Sequence, residues 1–580
     1  MIMGKTGITL LLLLMALCMP PGVYGQEAVE GGYYWISFKD KNNTPFSVGQ
    51  PEAFLSPRAI SRRVLQGISI TEADLPVHPA YLDSLKTDEL VQVFYSSRWM
   101  NGALIQTADQ TSLDRIRGLS FVSGSELVKP GEEAFKEKIP GNNELRSGGQ
   151  NLGQRNFEHS LIEALGKANW RSNFSGLDPG YSSESIAQIN GIKLLEDGFR
   201  GAGILIAVLD AGYYAADQLS VFSHLWESGR IAGTRDFVET PENIFGSSPH
   251  GTYVLCVMAG HRPGALMGTA MEATYLLIRT EDVRTEYKIE EFNWLAGAEL
   301  ADSIGADVIN SSLGYSRFDD PEQDYSYSDL DGGTTVVAQA ANMAFERGIL
   351  VVNSAGNYGN QTWRFVGSPA DSFGALSVGA VNIQGEVAGF SSRGPTADGR
   401  IKPDIMAHGL GVPVSDLSEG IGLVNGTSFS SPMIAGMSAS LWGKHPNALA
   451  SELKRAIIES GHLFFKPDTI FGHGIPDFNW ASRLLQYDFE PAEQLVIFPN
   501  PVSPDSFLSY HSNIQQEFII EVFNLRGQIV YFLDGQTFFP GYNRVQPFEK
   551  MAHLDNGIYF LRMVLEASGE FSVAKFVKAW

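Results

Sequence analysis

"GILIAVLD", Gly203 to Asp210, is an apolar run without polar alternation, closed by a carboxylate. A strand that alternates shows one face to water. A strand that does not is buried on both faces, as in a parallel sheet covered by helices. Four further runs have the same character: "ATYLLIR" (Ala273 to Arg279), "ADVINSSLG" (Ala306 to Gly314), "GILVVNSAGN" (Gly348 to Asn357) and "ALSVGAV" (Ala375 to Val381). Between them stand helical patterns such as "FNWLAGAELADSIG" (Phe292 to Gly305) and "TVVAQAANMAFERG" (Thr335 to Gly348). Strands alternating with helices predict a doubly wound α/β domain with a parallel sheet, here over residues 185–486. In that architecture function gathers beyond the carboxyl ends of the strands. Asp210 stands at one such end, "SSLG" at another and Asn357 after a third.

The chain has 580 residues, more than one core organises, so about two to four domains are expected. Residues 26–130 read as a small α+β domain. Its strands are "YYWISF" (Tyr33 to Phe38) and "LVQVFYSS" (Leu90 to Ser97). Its helices are "SPRAISRRVLQ" (Ser56 to Gln66), entered through Ser-Pro, and "DQTSLDRIRG" (Asp109 to Gly118). Residues 131–184, rich in Gly, Asn and charge, read as a connector. Residues 487–580 carry two hairpin patterns, "FIIEVFNLRGQIVYFL" (Phe518 to Leu533) and "NGIYFLRMVLEASGEFSVAKFVK" (Asn556 to Lys578), and predict a small all-β sandwich.

Residues 1–25 predict a cleaved signal peptide. Lys5 precedes the apolar "ITLLLLLMAL" (Ile8 to Leu17), and Val23 and Gly25 suit cleavage before Gln26. The run is shorter than the roughly 20 apolar residues of a membrane span, and no later stretch qualifies as a transmembrane segment. Bulky Leu17 disfavours lipidation at Cys18. With the signal removed Cys256 stands alone, so the folded protein holds no internal disulfide. A formal net charge of -23 and a pI near 4.9 repel phosphate backbones, which excludes nucleic acid as a partner.

Three short segments bring together chemistry. "AVLDAG" ends a buried strand with Asp210, "SPHGTYV" places His250 at a helix start, and "NGTSFSSP" offers Ser428. Amide hydrolysis needs a nucleophile, a base to take its proton and a carboxylate to fix the base's tautomer. It also needs oxyanion donors, and "NSAGN" supplies Asn357. Taken singly, each has a bland reading: a strand-end turn, a surface His, a helix cap. Four together at the carboxyl ends of parallel strands favour the catalytic one.

The block resembles the subtilisin-like (S8) serine peptidases in "AVLDAG", "HGTYV", "INSSLG", "SAGNYG", "SSRGPTADGRIKPDI", "NGTSFSSPMIAG" and a closing "GHGIPD" (Gly472 to Asp477). The resemblance implies a secreted serine endopeptidase acting on protein or peptide through an acyl-enzyme. It implies Ser428 as nucleophile, His250 as general base and acid, and Asp210 as orienting carboxylate. Asn357 would be an oxyanion donor beside the N–H of Ser428. Ser312, Leu313 and Gly314 would pair with an extended substrate, with Gly356 across the cleft. No cofactor is required for that chemistry. Structural calcium is common in the family, and Asp329 and Asp331 in the acidic insertion Tyr315 to Thr335 are its candidate ligands here. Three departures from the family pattern are Ala211 for Ser or Thr, Tyr253 for a second His, and His408 for Pro. The first two, with the β tail, motivate the alternative of a catalytically silent surface binding or adhesion protein, whereas His408 lies away from the triad.

The α+β domain occupies the place of a subtilisin propeptide. The tail resembles the type A sorting domain of the type IX secretion system of Bacteroidota in "FPNP" (Phe498 to Pro501), "VFNLRGQIV" (Val522 to Val530), "NGIYFLR" (Asn556 to Arg562) and "KFVK" (Lys575 to Lys578). That implies the type IX secretion machinery as a partner and a secreted or cell-surface location.

Overall fold

The structure is a computed structural model. It describes residues 31–131, 177–239, 241–489, 495–498, 500–504, 506–512, 515–538, 541–566 and 568–580. The expected signal peptide and most of the connector lie outside the described residues. The chain divides into two compact units, Met1–Ser482 and Arg483–Trp580.

The first unit opens with an antiparallel sheet of β1 (Gly32–Phe38), β2 (Gln92–Ser97), β3 (Gly102–Thr107) and β4 (Val122–Lys129), in the order β2-β3-β1-β4. Three helices accompany it: α1 (Pro57–Leu65), α2 (Pro79–Lys86) and α3 (Gln110–Arg117). Ser56 caps α1 by accepting from the Ala59 N–H, with Pro57 pre-set for the first turn, and Asp109 caps α3 by accepting from the Ser112 N–H. One face of the sheet buries Ile36, Phe38 and Ile105 against Leu85, Leu113 and Ile116. The other buries Trp35, Leu104 and Val128 against Phe292, Trp294 and Leu295 of the α/β block. The Trp35 ring stacks on that of Phe292 at a centroid distance of 4.4 Å. Strand β3 is therefore buried along its whole length.

The α/β block holds a seven-stranded sheet: β5 (Leu205–Asp210), β6 (Ile231–Asp236), β7 (Thr274–Arg279), β8 (Val308–Ser311), β9 (Leu350–Ser354), β10 (Leu376–Val381) and β11 (Ile405–His408). Their order is β11-β10-β9-β8-β5-β7-β6, and every pair is parallel. The five apolar runs are its five inner strands. The edge strands β6 and β11 were not legible in the sequence, β6 because "IAGTRD" is half polar and half exposed. Four helices matter for the site: α4 (His250–Ala259), α5 (Ile289–Ile304), α6 (Val336–Glu346) and α7 (Thr427–Lys444). Residues of α5 and α6 cover the sheet face that carries Leu205, Ala207 and Leu209. From β5 the chain runs to the β6 edge, returns at β7, then crosses β5 to β8 and winds outward. The strand order thus reverses between β5 and β8, and the crevice outside their carboxyl ends is where such folds bind ligands.

A buried ionic network ties the α+β domain to the ends of α5 and α6. Asp302, fully buried on α5, accepts from Arg62, from Arg63 at 2.9 Å and from Arg98 at 2.5 Å. In return Arg347, which follows α6, donates to Asp74 at 2.8 Å, and Arg63 donates to the same carboxylate at 3.2 Å. The Arg347 guanidinium also lies 4.6 Å over the Trp99 ring. Arg62 donates further to the Ala306 and Arg347 carbonyls, closing the carboxyl ends of both helices.

His408 also has a structural explanation. Its Nε2 faces the Leu410 carbonyl at 3.0 Å, and that oxygen only accepts, so Nε2 carries the proton. Nδ1 then accepts the Ser185 hydroxyl at 2.7 Å, tying the short helix Ser183–Gln188 to β11. Burial lowers its pKa to about 4, so the ring is neutral. Cys256 is buried and free, and burial raises its thiol to about 11, which leaves it inert.

The second unit is two antiparallel sheets. Strands β12 (Val496–Phe498), β13 (Phe507–Ser512) and β16 (Gly541–Val545) form one in the order β12-β13-β16. Strands β14 (Gln516–Phe523), β15 (Ile529–Phe538), β17 (Gly557–Leu565) and β18 (Phe571–Lys578) form the other in the order β15-β14-β17-β18. Their shared core includes Leu508, Phe518, Ile520, Phe538, Leu561 and Phe576.

Candidate active site

Asp210 closes β5 and is fully buried. Its Oδ1 accepts from the Ala211 N–H at 2.7 Å and from His250 Nδ1 at 2.7 Å. The geometry fixes the imidazole tautomer. Nδ1 faces an acceptor and must carry the proton, so Nε2 keeps its lone pair. His250 is the first residue of α4, and its side chain is 22 % exposed. Gly251 explains the dipeptide that follows Pro249: a Cβ there would stand 2.4 Å from the Gly212 carbonyl and 3.0 Å from the Asp210 Cβ. Only a bare backbone lets the helix start this close to the strand end. Burial works against charge on His250, but the Asp210 carboxylate, its hydrogen bond and nearby Glu281 outweigh burial and raise the pKa above its ordinary value.

Ser428 sits in the first turn of α7, 8 % exposed. Gly426 caps the helix at φ 147°, a conformation that disfavours any side chain. A Cβ on it would stand 3.6 Å from Asn357 Nδ2 and 3.6 Å from the Ser428 N–H nitrogen. Those two donors therefore border one small space beside Gly426. The Asn357 carboxamide is held by its oxygen, which accepts the Thr427 N–H and the Thr427 hydroxyl, both at 3.0 Å. Thr427 Oγ1 accepts in turn from the Gly356 N–H at 3.1 Å. Gly356 itself stands at φ 103°. The Ser312 hydroxyl donates to the Ser428 carbonyl at 2.9 Å, which binds the segment after β8 to the start of α7.

The structure brings Asp210 and His250 into a hydrogen bond, and it gathers Ser312, Gly356, Asn357 and Ser428 around the start of α7. It does not join Ser428 Oγ to His250. That hydroxyl lies 3.5 Å from the Ser312 carbonyl oxygen, and the ring next to Ser428, Phe429, lies 5.9 Å from the His250 ring. Hydrolase sites without substrate commonly hold this bond long or misaligned. Ala211 has a visible consequence, because the second oxygen of Asp210, Oδ2, is buried with no hydrogen-bond partner. Tyr253 lies along α4, buried and outside these contacts.

The calcium candidates Asp329 and Asp331 each sit in a local turn. Asp329 accepts from the Ser326 N–H at 2.7 Å and the Ser326 hydroxyl at 2.6 Å. Asp331 accepts from the Gly333 and Thr334 N–H groups and the Thr334 hydroxyl. Both carboxylates cap turns. Carboxyl groups converge elsewhere. Glu281, Glu286 and Glu290 place oxygens within 4.8 Å of one another. Sequence reading missed them, although "RTEDVRTEYKIEE" (Arg279 to Glu291) is a charge-dense run directly after a buried strand.

Comparison with known proteins identifies three matching segments. Residues 201–474 match the Subtilase family, residues 33–143 the peptidase S8 propeptide domain of Bacteroidota, and residues 496–579 the secretion system C-terminal sorting domain. Subtilisin E of Bacillus subtilis (strain 168) is 28% identical over 302 residues, covering 51% of this chain and 70% of its own. Subtilisin of Bacillus pumilus is 28% identical over 302 residues, covering 51% of this chain and 98% of its own. Among solved structures, the prenylagaramide maturation protease PagA is 22% identical with a TM-score of 0.40, covering 51% of this chain and 98% of its own.

Proposed function

The chain is a subtilisin-like serine peptidase with an S8 propeptide before its peptidase domain and a sorting domain after it, and we propose that it is an endopeptidase acting through Ser428, His250 and Asp210. The tail directs export through the type IX route, and no helix among the described residues is long and apolar enough to cross a membrane. The observation that carries the proposal is the 2.7 Å bond from His250 Nδ1 to Asp210, which leaves Nε2 as a proton acceptor at the cleft.

In the proposed reaction Ser428 Oγ attacks the scissile carbonyl carbon and its proton passes to His250 Nε2. The oxyanion takes hydrogen bonds from Asn357 Nδ2 and the Ser428 N–H, where the positive end of α7 adds to the stabilisation. The C–N bond breaks as Nε2–H protonates the leaving amine, giving an acyl-serine. Water then reverses the sequence and releases the acid. Segment Ser312-Leu313-Gly314 would hold the substrate as an added strand.

Labelling with a fluorophosphonate tests the reading against the silent-scaffold alternative. Modification of Ser428 in folded, processed protein is expected, and its absence would favour the scaffold. Asn357→Ala should lower kcat by about 10²–10³ with little change in KM, since the amide acts on charge that develops only in the transition state. Only neutral imidazole accepts the serine proton. With the His250 pKa raised, kcat/KM should climb with pH through a limb centred above about 6.5. A limb centred below that value in initial-rate measurements would contradict the Asp210–His250 coupling.

A further inference from the structure

The loop from Thr280 to Lys288 joins β7 to α5 and carries carboxyl groups that the chemistry above does not use. Glu281 accepts from the Tyr315 hydroxyl and from Thr280 Oγ1 at 3.2 Å. Tyr315 directly follows the Ser312-Leu313-Gly314 segment, so this bond ties the loop to the strand expected to hold substrate. Glu290, 1 % exposed, uses Oε1 to accept the Asp282 N–H at 3.2 Å, while its Oε2 is buried with no partner. Glu286 is half-buried, and its backbone alone is bonded, to Asp319.

The charges that act on the three are carboxylates: Asp210 on β5, Asp282 and Glu291 beside them in sequence, and Asp319 across the loop. His250 on α4 faces Glu281, and the phenol of Tyr358 faces Glu286. Burial first, and then these neighbours, raise all three carboxyl pKa values, that of Glu281 to about 7. Three clustered acids that find no cation among the described residues are costly to ionise, and a guest cation would remove that cost. A separate contact shows which kind of cation the loop accepts. Lys129, at the end of β4, reaches Asp282 at 3.5 Å and Thr285 Oγ1 at 3.2 Å, with its ammonium 6.0 Å over the Tyr287 ring. An amine from the propeptide domain is already docked on the rim of the cluster.

We propose that Glu281, Glu286 and Glu290 form a specificity subsite that receives the ammonium or guanidinium group of a lysine or arginine side chain of the peptide substrate. This rests on the endopeptidase reading. Glu286 is half-buried, and Glu290, buried beside it, carries the unpartnered oxygen. The subsite strengthens as pH rises, because its acids lose protons while lysine and arginine keep theirs.

The test uses the secreted, processed enzyme and a peptide set in which lysine or uncharged norleucine occupies each of four positions on the acyl side of the scissile bond. At one position lysine should be preferred about ten-fold in kcat/KM at pH 8, and the ratio should fall toward one at pH 5.5. Glu286→Gln should cut the pH 8 ratio below about three, with fluorophosphonate labelling reporting that the site is folded. Glu290→Gln serves as the second variant. Equal use of the two peptides at every position, or a ratio indifferent to both substitutions, overturns the subsite. A preference that appears only with added calcium and disappears with chelator overturns it in favour of a metal site. Failure to cleave any peptide overturns the endopeptidase reading, and the subsite with it.

Discussion

Ser428→Ala is expected to lower kcat by about 10⁶, as removal of the nucleophile does in subtilisin, and to leave the fold intact. Both halves follow from the geometry. The hydroxyl has one long contact, 3.5 Å to the Ser312 carbonyl, and the backbone of residue 428 keeps the bond from the Ser312 hydroxyl at 2.9 Å. Alanine costs nothing in helix propensity in the first turn of α7. The variant should therefore show an unchanged circular dichroism spectrum and melting temperature, with casein turnover near the background of oxyanion donors and binding alone. Fluorophosphonate labelling should vanish with activity. Undiminished turnover would remove Ser428 from the mechanism and leave a different group to be found in the same cleft.

The second large effect lies about the propeptide interface. Asp302→Ala should strand three arginines in a buried setting, since Arg62, Arg63 and Arg98 share that carboxylate. Arg63 retains Asp74 and Arg98 retains the Ser303 hydroxyl, so the charges are not left wholly bare. Removing one partner of a buried ion pair typically costs about 3–5 kcal/mol, or roughly 10²–10⁴ in equilibrium constant. Amide hydrogen exchange of β1 and β3, measured in the Ser428→Ala background to prevent self-cleavage, should lose protection by that factor. Strands of the α/β block far from Asp302, such as β10, should change little. Equal protection in both chains would show that apolar contact of Trp35 and Leu104 with α5 carries the docking unaided.

Asp210, with its unpartnered Oδ2, shows how a single substitution visible in sequence acquires meaning only in three dimensions. Ala211 is legible as a departure from the family pattern, but whether anything else bonds that oxygen depends on residues remote in the chain. The structure leaves it without a partner. His408 is the opposite case. It stands where the family pattern has Pro, and the fold supplies Ser185 and Leu410 as partners for its two ring nitrogens. Asp329 and Asp331 are legible as calcium candidates because acidic insertions suit that ion, and the fold shows in addition that each accepts from N–H groups three residues away or fewer.

The five inner strands, the capped helices and the motifs around Asp210, His250, Asn357 and Ser428 were written in the sequence. Each is a short-range property: a continuous apolar run, a cap beside its helix, or a glycine where backbone must pass close to backbone. The edge strands, the arginines converging on Asp302 and the meeting of Glu281 with Tyr315 were decided by tertiary structure alone. Those depend on which charges are drawn out of water together, and residues 34 to 240 positions apart carry no local mark of being neighbours. Burial sets what a carboxylate costs and what it attracts, and burial belongs to the assembled fold.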